Sequence, residues 1–310
     1  MSDSTQGIQL QIHYLDGSPT GMLTADVSNW DGHVLFFARN KENLSDMRKR
    51  PKANNAGIYI LLGNLLEDHE HKRAAYIGKA EHLSDRILQS AKEQKAKGFE
   101  WDSAVLATKL ENRLNTAHVL YLEACLIERA KRTKHVPLTN GNDGSKPMLS
   151  EAEKSAMDKF LHYLFLVLPA IKVDMFSDNT RNSTKKPDSD EVAGDHAFVI
   201  EDRNGITATL DASGREFVVQ SGSLAREWDK QYANGSYGAR LHERLIEQGV
   251  LVPEEQGDRY KFKENYAFTS LSAAASVVKG YPASGLQLWK HRNTNRSYKE
   301  WEDEQLSSED

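Results

Sequence analysis

Near the start of the chain Ile8, Leu10, Ile12 and Tyr14 alternate with polar residues, the period of a half-buried strand, and turn residues at 16–21 end it. Strand-like stretches around 22–27 and 33–37 extend this into a small β meander. From Gly57 the runs GIYILLG and AAYIG predict two strands separated by a polar loop over 64–73. A helix over 83–97 and a third strand over 103–109 follow. Between 117 and 133, Val119, Leu120, Glu123, Ala124, Ile127 and Ala130 fall along one helix face, with Thr116 as the cap. A second helix opens at a capping box of Ser150 and Glu153 and turns Phe160, Leu164 and Leu168 inward, closing the first core. Beyond 195 the pattern gives strands over 197–200, 206–210, 216–219 and 259–263. It also gives helices over 237–248 and 270–279, stopped by Gly249 and Gly280.

Residues 177–195 hold only Val192 and Ala193 as apolar side chains and cannot bury enough surface to order themselves. The expected division is therefore an N-terminal β meander with a basic segment (1–52), an α+β domain (53–176), a linker (177–195), a second small α+β domain (196–292) and a polar tail (293–310). With 39% apolar and 27% charged residues, a chain of 310 residues can fill more than one core. Its longest apolar run, 160–171, is interrupted by His162, Tyr163 and Pro169, so no membrane span is expected. The first residues lack the layout of a secretory signal, and the single Cys125 provides neither an internal disulfide nor a paired zinc motif. These features point to the cytoplasm. The net charge of −5 argues against a uniformly basic surface, yet residues 1–176 carry 23 Lys and Arg against 22 Asp and Glu, and the remainder 17 against 23. The first part is thus +1 and the second −6.

Glu123 is the anomaly of this pattern, a carboxylate in an apolar helix stripe that needs a cation or hydrogen-bond donors. Either it forms a structural ion pair, with Arg86 or Arg129, or it ligates a hard cation such as Mg²⁺. The basic run with Arg48, Lys49, Arg50 and Lys52 reads as a solvated helix face or as a phosphate-facing edge. His69 and His71 read as solvated loop residues, since no carboxylate or cysteine accompanies them in a ligand spacing.

Gly57-Ile58-Tyr59 and Tyr76-Ile77-Gly78, the YIGKAEHLSDR segment that delivers Lys79 and Arg86, the HVLYLE segment with His118 and Glu123, and Asn140 stand in the order of the GIY-YIG nuclease family. The resemblance covers about 90 residues, 57–142. It implies a three-stranded antiparallel sheet flanked by helices, and metal-dependent endonuclease activity on DNA. Carried onto this chain, Glu123 would hold one Mg²⁺ or Mn²⁺ ion on the scissile phosphate and Arg86 would meet charge on the phosphoryl oxygens. Tyr59 would activate or orient the attacking water with Tyr76 beside it, and Lys79 would add a point charge. Gly57, Gly78, His118 and Asn140 would support the site. Many members place His, Tyr or Lys four residues after the arginine, where this chain has Ser90.

The second domain resembles a domain of unknown function found behind such nucleases, DUF4357, through FVVQSGSLAR and FTSLSAAASVVKGYPASGLQLWK. That resemblance implies a context, target selection, and no chemistry. SGSLAR could open a helix with free amides towards a phosphate and Trp289 with Lys290 could stack on a base; or the segment is a turn and the tryptophan belongs to the core. Lys131, Arg132 and Lys134 extend the list of cations for a nucleic-acid backbone. A role in defence against foreign DNA follows from stand-alone members of the nuclease family, and DNA repair is another. The competing reading is a nucleic-acid-binding or protein-binding scaffold that keeps the nuclease fold with little turnover.

Overall fold

The computed structural model describes residues 7–66, 73–181, 196–213, 216–232, 236–254 and 259–308. His69, His71 and the 182–195 part of the expected linker lie outside the described residues. The chain forms two compact units, Met1–Ser177 and Asp178–Asp310.

Unit 1 is built on β1 (Leu10–Tyr14), β2 (Leu23–Val27), β3 (Gly32–Ala38), β4 (Gly57–Leu65), β5 (Arg73–Ala80) and β6 (Phe99–Lys109). They make one six-stranded antiparallel sheet in the order β1-β2-β3-β6-β4-β5. A separate meander beside a three-stranded sheet is therefore corrected. β3 pairs with β6 along its whole length, Gly32 opposite Lys109 through Ala38 opposite Ser103, and fuses the two.

Helices α1 (Lys41–Arg48) and α2 (Leu83–Ala96) serve one face of this sheet; α3 (Thr116–Thr133) and α4 (Glu151–Ala170) cover the other. The alternation of β4 explains both layers: Tyr59 and Leu61 pack with Leu83 and Ile87 of α2, while Ile58 and Ile60 pack with Leu122 and Leu126 of α3. Phe160, Leu164 and Leu168 of α4 are buried in the second layer, where truncation of Phe160 to Ala would cost about 3–5 kcal/mol. Ser150 and Glu153 form the reciprocal capping box read from the sequence.

Helix α3 begins at Thr116, one residue earlier than expected. Asn115 is the cap, its Oδ1 accepting from the His118 amide at 2.8 Å, whereas the Thr116 hydroxyl donates to Glu81. After α3 the chain returns along the outer edge of β5. The Ala75 amide donates to Pro137 and Thr139 donates back to Ala75, at 3.0 and 2.9 Å, which covers part of an otherwise open sheet edge.

Unit 2 contains β7 (Thr180–Arg181), β8 (Ala197–Glu201), β9 (Thr207–Asp211), β10 (Phe217–Val219), β11 (Leu224–Arg226), β12 (Leu251–Pro253), β13 (Arg259–Phe262), β14 (Asn265–Phe268) and β15 (Lys290–His291). Its larger sheet has the order β15-β8-β9-β10-β14-β7, and a smaller one runs β11-β13-β12. Helices α5 (Tyr237–Glu247), α6 (Leu271–Lys279), α7 (Gly285–Leu288) and α8 (Tyr298–Ser308) complete it. Three expectations are corrected here. Thr180 and Arg181, read as linker, pair with β14. The SGSLAR segment opens no helix: Ser221 and Gly222 form the turn that was its alternative reading, and Leu224 to Arg226 pair with β13 as β11. Residues 298–308, read as a polar tail, form α8, which Ser297 and Glu300 cap and which packs Tyr298 and Trp301 on Phe198.

The overall class is mixed α+β with antiparallel sheets. Among the described residues no helix is long and apolar enough to cross a membrane.

Candidate functional site

β4 and β5 form a hairpin in which Tyr59 pairs with Gly78 and Ile58 with Lys79. The Tyr59 ring lies directly over Gly78, where any Cβ would fall 2.4–2.5 Å from the phenol Cζ and Oη. A glycine is required at that position for the tyrosine to lie flat on the sheet. Tyr76 follows on the same face, its ring 6.0 Å from that of Tyr59.

From α2, Arg86 reaches back to this pair. Its Nε donates to Tyr59 Oη at 3.1 Å and its Nη1 to Glu93 at 3.0 Å, while Nη2 has no hydrogen-bond partner among the described residues. The bond to Glu93, above all, keeps this guanidinium firmly protonated. Tyr59 is 1% exposed. Burial pushes its phenol up to about 12 against the opposing pull of Ser90 and Arg86. Tyr76 is half-buried and its hydroxyl has no partner among the described residues.

Glu123 lies on the other face of the sheet, in the buried stripe of α3, and is 8% exposed. Its partner is neither Arg86 nor Arg129. Lys79 Nζ donates to Glu123 Oε2 at 2.5 Å, and Oε1 has no partner among the described residues. Arg129 instead donates to the Phe176 carbonyl and stacks on Phe165.

The sequence-derived residues thus fall into two groups, Tyr59-Tyr76-Arg86 and Lys79-Glu123, on opposite faces of the edge strand β5. No hydrogen bond or ion pair among the described residues joins them. Asn140 has a structural part: its amide accepts from the Ile77 N–H at 3.0 Å and donates to the Ile77 carbonyl at 2.7 Å, continuing the cover of the β5 edge. That cover stops at Ile77, and the backbone edge from Gly78 to Ala80 is left unpaired among the described residues. His118 completes the α3 capping box and lies 3.5 Å from Glu153. Gly57 admits the Ala107 carbonyl and the Leu83 side chain, for which a Cβ leaves no room. Ser90 is buried and donates to the Arg86 carbonyl.

The candidate backbone cations are dispersed. Lys49 pairs with Asp46 and Lys131 with Asp143, both on the surface. Arg48 ends α1, while Arg132 and Lys134 end α3 on the opposite face of the sheet, so the two basic runs form no single track. Arg50 and Lys52 border a cavity that sequence reasoning did not anticipate, because its lining comes from segments as far apart as His13 and Thr108. Trp289 cannot stack on a base: it is fully buried and its Nε1 donates to the Leu271 carbonyl at 3.2 Å. Lys290 lies beside it in β15.

Among the described residues no group of three or more His, Cys, Asp or Glu side chains is placed to hold a metal. Mg²⁺ does not demand one, since it commonly takes one or two carboxylates and completes its shell with water and substrate phosphate. Glu123, with one oxygen on Lys79 and the other uncommitted, fits that donor set.

Residues 198–302, within unit 2, match the model of a family described as a domain of unknown function (DUF4357). No curated protein and no solved structure matches the chain.

Proposed function

We propose that unit 1 is a metal-dependent phosphodiester hydrolase acting on DNA, and that the DUF4357 domain aids target selection. The observation that carries this reading is Glu123: a carboxylate in a buried helix stripe, with an uncommitted oxygen, beside an edge strand whose other face holds Arg86 with an uncommitted Nη2. The resemblance of the surrounding segments to GIY-YIG nucleases supports it.

In this reading the scissile phosphate lies at the uncovered edge of β5 near Gly78, the stretch reached from both faces. A divalent cation bound on Glu123 would supply Lewis-acid polarisation of a phosphoryl oxygen. Arg86 Nη2 donates to a second phosphoryl oxygen, where charge grows in the transition state. Tyr59 serves as the anchor of Arg86, since its burial and raised pKa leave almost no phenolate at neutral pH. The hydroxyl open to an attacking water is that of Tyr76. Lys79 holds the Glu123 carboxylate at the strand edge.

The test is to incubate the full chain with supercoiled plasmid, linear duplex and single strands in Mg²⁺, Mn²⁺ or EDTA. Cleavage in metal that stops in EDTA is the expected result. Binding to any of these substrates without cleavage in either metal would favour the scaffold reading instead.

A further inference from the structure

On the Tyr59 face of the unit 1 sheet, directly paired residues form a row across all six strands: His13, Thr24, Leu35, Leu106, Tyr59 and Gly78. α2 packs over β4, β5 and β6. Over the opposite end of the row lies a cavity of about 470 Å³, bounded by β1, β2, β3, β6 and the turn at Pro51–Asn54. A volume of a few hundred Å³ with mainly apolar walls and a few polar groups suits a small organic ligand.

The polar groups are unusually placed. His33 is buried, with Nδ1 at 2.7 Å from Asp26 Oδ1 and at 3.4 Å from Lys52 Nζ. The carboxylate only accepts, so Nδ1 carries the hydrogen in this contact. Arg50 Nε is shielded from solvent without a hydrogen-bond partner, and its guanidinium makes no ion pair among the described residues. Lys52 meets no carboxylate, and the His33 Nδ1 at 3.4 Å, with its hydrogen turned to Asp26, cannot accept from its ammonium. Elsewhere in this unit Lys109 and Arg73 do meet carboxylates, those of Asp31 and Asp102. Pro51 begins the turn immediately after Arg50 and holds that residue extended, which limits where the guanidinium can go.

We propose that this cavity binds a nucleotide unit, with its base against Leu15, Leu35 and Leu106 and its phosphate between Arg50 and Lys52. An inorganic anion would leave the apolar wall unused. An apolar carboxylate would leave the second ring nitrogen of His33 and the second oxygen of Asp26 unmatched. A nucleotide satisfies both, and the forked guanidinium suits a phosphate. Choosing a nucleotide among phosphate-bearing ligands rests on the proposed hydrolase reading, through Leu106, which lines the cavity and pairs with Tyr59. The unit could be a free mononucleotide or one residue of a bound strand.

The experiment is a calorimetric titration of the full chain in EDTA, where metal-dependent cleavage is silent. The titrants are the four deoxynucleoside 5′-monophosphates, inorganic phosphate and a short single-stranded oligonucleotide. The proteins are wild type, the double variant Arg50→Gln with Lys52→Gln, and the surface control Lys92→Gln with Lys95→Gln, which removes the same charge. The expected result is that the Arg50 and Lys52 changes weaken nucleotide binding by about tenfold or more, as for lost charge-assisted bonds, while the control changes it little. Saturation by a mononucleotide that displaces the oligonucleotide identifies a free-nucleotide site; an effect seen on the oligonucleotide alone identifies a strand site. The proposal is overturned if inorganic phosphate binds as tightly as every nucleotide, if both double variants weaken binding equally, or if nothing binds. Cleavage by wild type in Mg²⁺, with neither mononucleotide nor oligonucleotide binding in EDTA depending on Arg50 and Lys52, would refute the cavity assignment alone. Nucleotide binding without cleavage in any metal would refute the hydrolase reading alone.

Discussion

In each unit a largely covered carboxylate meets a lysine, Glu123 in unit 1 and Asp202 in unit 2, and the two are satisfied very differently. Asp202 of unit 2 is saturated: Oδ1 accepts from the Asn204 and Ile206 amides at 2.9 and 3.1 Å, and Oδ2 from Arg226 and Lys279 at 2.9 and 2.7 Å. Glu123 of unit 1 has one lysine on one oxygen. Their side chains are almost equally covered, 13% and 11% exposed, so burial does not separate them. Coordination does. A carboxylate closed on all sides ties strands and helices together, whereas one with an oxygen to spare can still take a ligand, and that distinction turns a buried charge into a candidate site.

The comparison breaks most visibly on stability. Asp202→Ala strands Arg226 and Lys279 without their carboxylate and should destabilise unit 2 by about 3–5 kcal/mol, the range for breaking a buried pair. Glu123→Gln should cost less than about 1 kcal/mol, because Lys79 is a third exposed and its stem lets the ammonium reach water. Urea unfolding of both variants, read by calorimetry and tryptophan fluorescence, checks the contrast; equal losses would remove it.

On the catalytic side, Tyr76→Phe should lower cleavage by roughly 10²-fold if its hydroxyl orients the water. Tyr59→Phe should cost about tenfold, by releasing Arg86 Nε, and the loss should be the same from pH 6 to 9 because a phenol near 12 does not titrate there. A Tyr59→Phe profile that loses an alkaline limb would restore the base role.

A smaller effect separates the units by pH. Burial lowers the pKa of His242, so the unfolded chain protonates first as pH falls below about 6.5. Its contribution to unit 2 is full above that value and declines by up to about 1.4 kcal/mol per pH unit until the folded pKa is reached. His242→Gln should flatten the loss in unit 2 melting between pH 7 and 5. The smallest expected change is in a fragment ending at Ser177, which retains the buried Val173, Met175 and Phe176 of the first core. It should fold, and should keep metal-dependent cleavage within roughly an order of magnitude. An unfolded fragment would show that unit 1 depends on unit 2.

What the sequence disclosed was local. Ser150 with Glu153 before α4 and Gly280 after α6 mark helix ends through side chain and backbone chemistry a few residues apart. Asn115 could have been preferred to Thr116, since either can cap and only the folded backbone decides. The Ser297 and Glu300 pair was also present as a capping signal, hidden in a segment that reads as polar. Long-range pairing left no such mark: nothing in Gly32–Ala38 announces β6 as its neighbour, and Leu224–Arg226 becomes a strand only against β13. For the same reason the residues of the candidate site were legible, but not the partner of Glu123, the anchoring of Arg86 by Tyr59, or the cavity at Arg50. Those depend on which strand faces meet.

The central claim is that the uncommitted oxygen of Glu123 holds the cation that hydrolysis requires. The most direct measurement is the initial rate of DNA cleavage in saturating Mg²⁺ by wild type and by Glu123→Gln, each shown to be folded by its melting curve. Wild type should cleave and the variant should fall by about 10³-fold or more, while still binding the substrate through its backbone cations. A folded Glu123→Gln protein that cleaves at the wild-type rate would contradict the claim and leave Glu123 as the partner of Lys79 alone.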